Sequence, residues 1–558
     1  MKISTLPQLY RNAARWREIL SVLSKYGLAG WLGRFELPLG TGWLKDSNGQ
    51  LLGSMSQPVR VRRALEELGP TFIKLGQLLS TRPDLVGLEL ADELSKLQSG
   101  APADDTAWVY QVIAEDLGQS VDECFTRFED EPVASASVGQ VHRAWLEDGS
   151  AVAVKVLHKG IEERVLDDTE ILVGLAELAE RLPDFRNYRP ASLAVDFQRT
   201  IRRELDLGNE RRRLDQFAGY FAGDPRVRLP RADADRSGPR VLTAEWIEGW
   251  KASDPALKEA KDIDLARVAR NGAEVFIEMI FDHGVYHADP HPGNLLVLPG
   301  NVVGLVDFGM VGRLSDPLRE DLEDMLMAVV ANEPATLTAV ITRVGQTPPE
   351  LDEAELASDI AEFVEHYGNQ SVGGLDLTGA LSELIDIIQR RQITLPPSVG
   401  MLLKMLVQLE GTARLLSPDF SLLEVLEPHQ KKMMLRRLSP VRQAKKLSRI
   451  YGEFEDLAEV FPRRVREILQ QVQAGKFDVH LDHRGLEPSV NRLVLGMLTS
   501  AMFLGSSLMF SNGVMPIRGI WLLDGVSLPG FVGLCLSGLL GMRVLRAISK
   551  SGRLERRR

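Results

Sequence analysis

The sequence predicts an α+β fold in which a small antiparallel sheet lies between long helical segments and two apolar helices end the chain. Helical periodicity of apolar side chains runs through the first hundred residues, resumes over 162–221, and dominates over 265–438. Between the first two of these segments the side chains alternate with a period of two, which is typical of strands. Residues 493–515 and 525–542 contain no charged side chain.

Length and composition limit the class of protein. A chain of 558 residues predicts two to four structural units. A net charge of −11 disfavours a nucleic-acid partner. Neither Cys124 nor Cys535 lies in a metal-ligand spacing, so we interpret both as structural thiols of a reducing compartment. The first twenty residues lack an apolar signal-peptide core. Their Arg-containing amphipathic pattern could suggest a mitochondrial presequence, but ordinary helical sequence follows directly, which favours a bacterial cytoplasmic start.

The N-terminal helical part contains the amphipathic segment GPTFIKLGQLLSTRPDL. We expect this helix to end at Arg82-Pro83, because the residue before a proline avoids helical backbone angles. Helical sequence continues from Thr106 to Gly118.

The strand pattern is clearest in the segment AVAVKVL, where Val152, Val154 and Val156 point to one face of the predicted sheet. Lys155 points to the opposite face. Asp148-Gly149 precedes this strand and follows another alternating run, which predicts a β-hairpin.

The segment HADPHPGN carries the strongest chemical signal. Asp289 and Asn294 are five residues apart, and Asp307-Phe308-Gly309 follows after a short apolar run. Phosphoryl transfer requires positioning and charge neutralisation by metal, and Asn294 and Asp307 carry the oxygen ligands that Mg²⁺ prefers. Asp289 is placed to orient or deprotonate an attacking hydroxyl or water. The spacing matches a kinase catalytic loop and metal loop, and it predicts a bilobal protein-kinase-like fold with a sheet-containing N-lobe and a mainly helical C-lobe.

Two histidines flank this predicted catalytic loop, His287 and His291. We favour structural hydrogen bonding for both over metal ligation.

Lys155 is the candidate for holding the α- and β-phosphates of ATP or ADP, because its strand resembles the Val-Ala-Ile-Lys strand of kinases. Such a lysine needs a carboxylate partner, and Glu204, Asp206 and Glu210 follow on a predicted helix. A solvated helix face rich in both charges is the alternative interpretation of those acids.

The phosphate-covering loop lacks the usual glycines. It consists of Ala134, Ser135, Ala136, Ser137, Val138, Gly139, Gln140 and Val141. Because alanine restricts backbone freedom, we expect nucleotide handling to differ from that of an ordinary kinase, with backbone amides and Ser137 contacting phosphate. No Ala-Pro-Glu follows the metal loop, so much of the usual platform for a protein substrate is missing.

The C-terminal apolar runs predict two transmembrane helices. Residues 493–515 are long enough to cross a bilayer core, whereas 525–542 is marginal alone. Small residues recur every fourth position, which lets membrane helices pack closely. These are Gly496 and Ser500 in the first run and Gly533, Ser537 and Gly541 in the second. The basic tail from Arg543 to Arg558 predicts that both ends of this helical pair face the cytoplasm, at the bacterial inner membrane. A buried soluble hairpin is the alternative.

The motif order carries a resemblance to a known family. Lys74-Leu75-Gly76-Gln77 precedes ASASVGQV, VAVKV, ELD, HADPHPGN and DFG, and this succession resembles the UbiB/aarF family of atypical protein-kinase-like proteins over roughly residues 60–310. The resemblance implies that Lys74 and Gln77 belong to an added N-terminal helical subdomain, named for its KxGQ motif. That subdomain would fold over the active site and block a protein substrate.

The resemblance also implies roles for later residues. Glu204 and Asp206 would meet the Lys74–Gln77 motif near the nucleotide, and Glu210 would pair with Lys155. Residues 245–247, with Glu245 and Ile247 at their ends, would form the hinge that contacts adenine. One departure is the run Glu210-Arg211-Arg212-Arg213 where similar proteins carry small residues.

For biology, the resemblance implies support of ubiquinone biosynthesis through ATP-dependent handling of lipid quinone precursors or of the enzymes that modify them. The basic stretch from Lys431 to Arg449 either lies on anionic lipid headgroups or forms a solvated face. A small-molecule phosphotransferase, a nucleotide-binding scaffold and a conventional protein kinase are the alternatives. The oligomeric state is left open.

The predicted organisation has five parts. They are an N-terminal helical extension (1–120), a kinase-like N-lobe (121–250), a C-lobe (251–440), an amphipathic helical linker (441–490), and two transmembrane helices with a basic tail (491–558).

Overall fold

The computed structural model describes residues 13–28, 55–97, 102–180, 188–260, 262–368, 377–426, 428–429, 466, 486–516 and 527–550. The chain divides into two compact units, Met1–Arg442 and Gln443–Arg558. The predicted linker over 441–490, the basic stretch over 431–449 and the tail beyond Lys550 lie almost entirely outside the described residues.

The first unit begins with helices, as predicted. They are α1 (Ala13–Lys25), α2 (Gln57–Leu68), α3 (Pro70–Ser80), α4 (Pro83–Val86), α5 (Leu88–Ser95), α6 (Thr106–Leu117) and α7 (Val121–Cys124). Proline in the first turn of α2, α3 and α4 suits a helix start, where its missing N–H leaves no bond unmade. Helix α3 carries the Lys74–Gln77 motif and approaches the end of α5 closely, because a Cβ at Gly76 would overlap the Leu97 side chain.

The strands in the described part of this unit form three sheets. They are β1 (Arg127–Phe128), β2 (Ala134–Ser135), β3 (Gly139–Trp145), β4 (Ala151–Leu157), β5 (Val227–Arg228), β6 (Val241–Glu245), β7 (Trp250–Lys251), β8 (Val285–His287), β9 (Leu295–Leu298), β10 (Val302–Leu305) and β11 (Val311–Arg313). The first sheet has the order β1-β3-β4-β6 with β2 paired to β3, and all its pairs are antiparallel.

The predicted alternation along β4 is confirmed. Val154 and Val156 are fully buried in a core that α6 completes, while Lys155 lies on the opposite face. The β3–β4 hairpin turns at Asp148-Gly149, where the Asp148 carboxylate accepts a hydrogen bond from the Ser150 amide and Gly149 has a φ of +81°.

Among the described residues, three helices follow the sheet where the sequence predicts one helical stretch. They are α8 (Ile161–Ala179), α9 (Pro190–Glu204) and α10 (Leu207–Tyr220). Between α9 and α10 the backbone leaves helical geometry at Asp206, whose side chain accepts a hydrogen bond from the Gly208 amide at 3.0 Å and caps α10.

The catalytic segment contains more strand than the sequence predicts. Strands β9 and β10 pair antiparallel and are joined by a turn in which Asn301 has a φ of +64°. β5 and β7 extend this pair into a four-stranded sheet, and β8 pairs with β11. Asn294 directly precedes β9 and Asp307 follows β10, so the hairpin brings the two predicted metal ligands to the same edge of the sheet.

The remaining described part of the first unit is mainly helical. Its helices are α11 (Leu265–Glu278), α12 (Asp316–Val330), α13 (Pro334–Val344), α14 (Glu353–Gly368), α15 (Leu377–Arg390) and α16 (Pro397–Leu416). One core joins α11 and α16 to the strands of the catalytic segment and centres on Phe276, Tyr286, Phe308 and Met405. A second core joins α13, α14 and α15.

The described part of the second unit consists of α17 (Leu486–Ser511) and α18 (Leu528–Lys550), which pack against each other. Within α17, Leu493–Ser511 is long and apolar enough to cross a membrane. The apolar part of α18, Leu528–Arg543, is shorter than such a span. The sequence therefore predicts the first apolar helix by length, and the second stays marginal.

The contact between α17 and α18 uses only one of the two predicted rows of small residues. Gly533 and Gly541 of α18 lie against Ser506 and Thr499 of α17. The predicted row in α17 is wrong, because Gly496 faces open space and Ser500 is exposed. The contact positions on α17 are seven residues apart, a two-turn repeat that keeps one side of a helix against its partner.

Candidate active site

Strand β4 and helix α10 together hold the predicted phosphate-binding lysine. The Lys155 Nζ atom lies 2.8 Å from Glu210 Oε2, and the two side chains are only 15% and 12% exposed. Burial alone would lower the pKa of Lys155, but the charges of Glu210 and Asp307 raise it above its ordinary value. Lys155 is therefore a cation close enough to Asp307 for the two charges to interact.

Asp307 is exposed to solvent, although protein atoms surround its carboxylate closely. Its Oδ1 accepts a hydrogen bond from the Gly309 amide at 2.8 Å. Burial would raise the pKa of Asp307, but the charge of Lys155, the Gly309 hydrogen bond and the charge of Lys74 lower it to about 2. The group is ionised at neutral pH, which is the state a Mg²⁺ ligand requires.

Asn294 is positioned by the catalytic loop itself. Its Nδ2 donates to the Asp289 backbone oxygen and to Asp289 Oδ2, both at 3.2 Å. The Val306 amide donates to the Asn294 backbone oxygen at 3.3 Å. None of these hydrogen bonds uses the side-chain oxygen of Asn294. The bond from Val306 also holds Asn294 beside the chain segment that carries Asp307, the other predicted metal ligand.

His287 joins the catalytic loop to the metal loop. Its Nδ1 accepts from the Asp289 amide at 3.3 Å, and its Nε2 bonds to the Asp307 backbone oxygen. His291 Nδ1 accepts from the Gly293 amide at 3.1 Å. These are structural hydrogen bonds of the kind the sequence favours for both histidines.

Oxygen ligands in the cleft suit a magnesium ion that a nucleotide helps to hold. In the described ranges, no three His, Cys, Asp or Glu side chains are grouped so that they could bind a metal by themselves. Asp307 and Asn294 supply two oxygen ligands, so phosphate oxygens and water would complete the coordination, as Mg²⁺ commonly requires.

Arg213 belongs to the site, although the sequence marks it only as part of an arginine run where similar proteins carry small residues. Its Nη1 donates to the Gly309 backbone oxygen at 2.7 Å and to that of Phe308 at 3.3 Å. Glu210 and Arg213 are one turn apart on α10, so one helix holds both Lys155 and the metal loop. The acceptors are backbone carbonyls distant in sequence, which no local pattern reveals.

The Lys74–Gln77 motif reaches the same site. Lys74 Nζ lies 2.8 Å from Glu204 Oε2 at the end of α9, and both side chains are largely buried. Burial would lower the pKa of Lys74, but Glu204 and Asp307 raise it while Lys155 opposes them. Gln77 Nε2 donates to the Leu97 backbone oxygen at 3.2 Å, which ties α3 to the segment after α5.

Glu204 and Asp206, the two acids of the ELD segment, have different partners. Glu204 pairs with Lys74, whereas Asp206 caps α10 and lies 3.5 Å from Arg212. The expectation that Asp206 meets the Lys74–Gln77 motif is therefore not met in the contacts of the described residues. The cause is local, because the chain turns at Asp206 to start α10.

The alanine-rich loop is a tight turn between β2 and β3. Ala134 pairs with Val141, Ser135 pairs with Gln140, and the Ala136 amide donates to the Gly139 backbone oxygen at 2.8 Å. A Cβ at Gly139 would overlap the backbone oxygen of Val156, so only glycine lets β3 approach β4 this closely.

The inner end of that turn is buried. Val138 is 8% exposed and Ser137 is 3% exposed. The Ser137 hydroxyl is therefore less available to a phosphate than the sequence suggests.

A hydrogen-bond chain that the sequence analysis missed supports this turn from behind. His158 Nε2 bonds to the Ala136 backbone oxygen at 2.9 Å, and His158 Nδ1 bonds to Asp104 Oδ2 at 2.7 Å. The Asp104 amide donates to Gln140 Oε1 at 2.7 Å. The loop is anchored by side chains outside it, which restrains it in addition to its alanines.

The predicted hinge runs between the two larger sheets. Glu245 ends β6, pairs with Val152 in register and forms an ion pair with Arg228 of β5. The Trp246 amide donates to the Ala151 backbone oxygen at 3.0 Å. Ile247 lies near Gly304 of β10. The segment therefore connects the N-lobe sheet to the strands that position Asn294 and Asp307.

Comparison with known proteins gives matches along most of the chain. Residues 96–341 match the ABC1 atypical kinase-like domain, 360–421 the UbiB helical domain, and 480–550 the ABC1/UbiB kinase-like C-terminal domain. Lys155, Asp289, Asn294 and Asp307 lie within the first of these regions, whereas Lys74 precedes it.

Individual proteins also match this chain. A protein of Xylella fastidiosa (strain M23) described as "Probable protein kinase UbiB" is 32% identical over 78% of this chain and 82% of its own length. A Clostridium pasteurianum protein described as an uncharacterized protein in the hydrogenase 1 5' region is 29% identical over 97% of this chain and 99% of its own. A solved Mycobacterium tuberculosis protein in complex with erythromycin is 25% identical, covers 65% of this chain and 93% of its own, and has a TM-score of 0.44.

Proposed function

This chain belongs to the UbiB/ABC1 family of atypical kinases, and we propose that it is a membrane-bound kinase or ATPase that binds Mg-ATP and supports ubiquinone biosynthesis. Two sets of contacts support the proposal: Lys155 pairs with Glu210 and interacts with the charge of Asp307, and Asn294 bonds to Asp289. Together these residues supply the cation, the oxygen ligands and the candidate base that phosphoryl transfer needs.

Each residue has a defined task in this proposal. Lys155, held by Glu210, binds the α- and β-phosphates, and residues 245–247 contact adenine. Asn294 and Asp307 hold Mg²⁺, which supplies charge neutralisation on the phosphates when bound. The Asp289 carboxylate, oriented by Asn294, accepts the proton of the attacking hydroxyl or water.

The N-terminal helices limit which acceptor reaches the cleft. The charge of Lys74 interacts with those of Lys155 and Asp307, and Lys74 forms an ion pair with Glu204. A folded protein substrate therefore meets α3 before it meets Asp289. This arrangement favours a small or lipid-like acceptor, or water, over a protein side chain, and we propose quinone precursors or their modifying enzymes as partners.

We further propose that α17 and α18 anchor the chain in the bacterial inner membrane with the kinase-like domain in the cytoplasm. The helices expose large apolar side chains, including Leu498, Leu504, Leu508 and Leu539, each more than 60% exposed. Monomeric soluble proteins rarely expose a continuous apolar surface of this kind, whereas lipid-facing helices require it.

The full-length chain is expected to stay in the membrane pellet after an alkaline carbonate wash and to be released only by detergent, because two apolar helices would be embedded in lipid. Replacing both Leu498 and Leu504 with Lys should shift the chain to the wash, since each charge at bilayer depth costs about 2.5–3.5 kcal/mol. Immunoblotting of the fractions measures this. Release of the unsubstituted chain by carbonate alone would contradict an integral anchor.

Cells whose only copy carries Asp289→Asn are expected to lose ubiquinone and to accumulate a prenylated precursor, because the substitution removes the proton acceptor but keeps the side-chain shape. Mass spectrometry of extracted quinones measures both. Asp316→Asn, an exposed position at the start of α12, is the matched control and should keep a normal profile.

Two further results decide between the alternatives. A normal quinone profile in Asp289→Asn cells, with the protein folded and in the membrane fraction, would leave only a scaffold role or another pathway. Deletion of the gene then separates these, because a scaffold in quinone synthesis loses ubiquinone on deletion and an unrelated protein does not.

A further inference from the structure

Helix α16 lies beneath the catalytic loop and contacts it at both ends. Thr412 Oγ1 donates to the Pro290 backbone oxygen at 2.9 Å, next to Asp289. The Tyr286 hydroxyl, just before the loop, donates to the Ser398 backbone oxygen at 2.5 Å. The side chains in the middle of α16 therefore lie close to the reacting groups of the proposed site.

Lys404 is one of those middle side chains. Its Nζ donates to Ser80 Oγ at 2.7 Å, at the C-terminal end of α3, and the side chain is part-buried. Ser80 in turn donates to the Gln77 backbone oxygen at 2.6 Å, so its hydroxyl is committed as the acceptor for Lys404. An ammonium has three donors, and this contact uses one of them.

The charge of Lys404 is only partly compensated by its surroundings. Burial lowers the pKa of Lys404, and the charge of Asp289 opposes that effect. In the described part of the chain no carboxylate lies within ion-pair distance of Lys404, whereas Lys155 and Lys74 are paired with Glu210 and Glu204. A desolvated cation without an ion-pair partner is costly, and an anionic ligand would offset the cost.

The catalytic loop lacks a cation of its own. Between Asp289 and Asn294 the chain reads Asp-Pro-His-Pro-Gly-Asn, with no Lys or Arg. Negative charge on the transferred phosphoryl group must be neutralised on the side facing the acceptor, and fixed cations do this effectively in a water-poor site. Lys404 is a cation on another element whose charge interacts with Asp289.

We propose that the Lys404 ammonium binds the terminal phosphate of ATP beside Asp289, positioned there by its hydrogen bond to Ser80. The inference rests on the proposed binding of Mg-ATP. It assigns α16 a direct part in the nucleotide complex and gives α3 two contacts with the site. Lys74 reaches Glu204 from one turn of α3, and Ser80 holds Lys404 from the helix end.

The test compares the affinities of the detergent-solubilised full-length chain for Mg-ADP and for a non-hydrolysable Mg-ATP analogue. Lys404→Met should weaken binding of the analogue by about 10- to 100-fold, the loss of a charge-assisted hydrogen bond, and change ADP affinity less than about twofold. Lys404→Arg keeps the charge and should restore part of the preference for the analogue. Lys96→Met, which removes an exposed cation at the end of α5, should leave both affinities unchanged.

The outcomes separate the inference from the proposed function. The Lys404→Met chain must keep an unchanged melting temperature. If its affinities for the two nucleotides fall to the same degree, or if neither affinity changes, the role of Lys404 is overturned while Mg-ATP binding stands. A wild-type chain that binds neither nucleotide overturns both. Methionine matches lysine in length and tolerates burial, so loss of folding is not expected.

Discussion

Replacing Asp307 with Asn is expected to lower Mg²⁺-dependent ATP turnover by about 10²- to 10³-fold, a loss comparable to that of one group that stabilises transition-state charge. The carboxylate is ionised, with a pKa of about 2, and lies among Lys155, Lys74 and the Gly309 amide. Asparagine keeps the shape and the acceptor for Gly309 but removes the negative charge that attracts Mg²⁺. Phosphate release measured over a range of Mg²⁺ concentrations reports the change.

The same experiment contains its control. Asp235→Asn changes an exposed acid in the loop before β6 and should leave turnover unaffected. Higher Mg²⁺ should recover part of the activity of Asp307→Asn, because weakened metal binding is opposed by mass action. An Asp307→Asn chain with wild-type turnover and Mg²⁺ dependence would show that Asp307 is not a metal ligand.

The parts of the fold that the sequence predicts are those with a local signal. The β4 alternation and the Asp148-Gly149 turn each depend on neighbouring residues, and both are present. The β9–β10 hairpin was missed because nearly all its residues are buried on both faces, so the apolar run LLVL and its partner VVGL show no alternation. The turn residues Gly300-Asn301 were the available signal.

The site divides in the same way. Spacing predicts Asp289, Asn294 and Asp307, because their chemistry requires particular residue types at particular intervals, and the strand pattern around Lys155 predicts that lysine. Arg213 and His158 were missed because each bonds to backbone oxygens of distant segments. Any residue presents such an oxygen, so the sequence holds no trace of these contacts.

Lys404 differs from Arg213 and His158, because the sequence around it does carry a recognisable signal. The segment LLKMLV places one charge in the apolar first half of α16, and a lone cation in such a stretch indicates a specific task. Its neighbours Ser80 and Asp289 are more than a hundred residues away in sequence, so the task itself required the structure.

Replacing Asp84 with Ala is expected to lower the free energy of unfolding of the first unit by about 3–5 kcal/mol, because it leaves a buried guanidinium without its partner. Arg82 and Asp84 form a two-bonded ion pair at 2.9 and 2.8 Å, with side chains 6% and 0% exposed. Both also bond to the backbone of Leu395, at 3.0 and 3.1 Å, just before α16. This buried pair fastens α3 and α4 to the segment that starts α16.

A double-mutant cycle, measured by urea unfolding of the full-length chain, tests whether Arg82 and Asp84 stabilise the fold as a coupled pair. Arg82→Met with Asp84→Leu should cost clearly less than the sum of the single changes, because paired apolar replacements remove the unpaired charge. The exposed pair Arg127–Glu129 is the matched control, and its loss should cost less than about 1 kcal/mol. Additive single effects would contradict a coupled clamp. If the coupling is found, Asp84→Ala should also reduce the preference for the ATP analogue, since the same helix end presents Ser80 to Lys404.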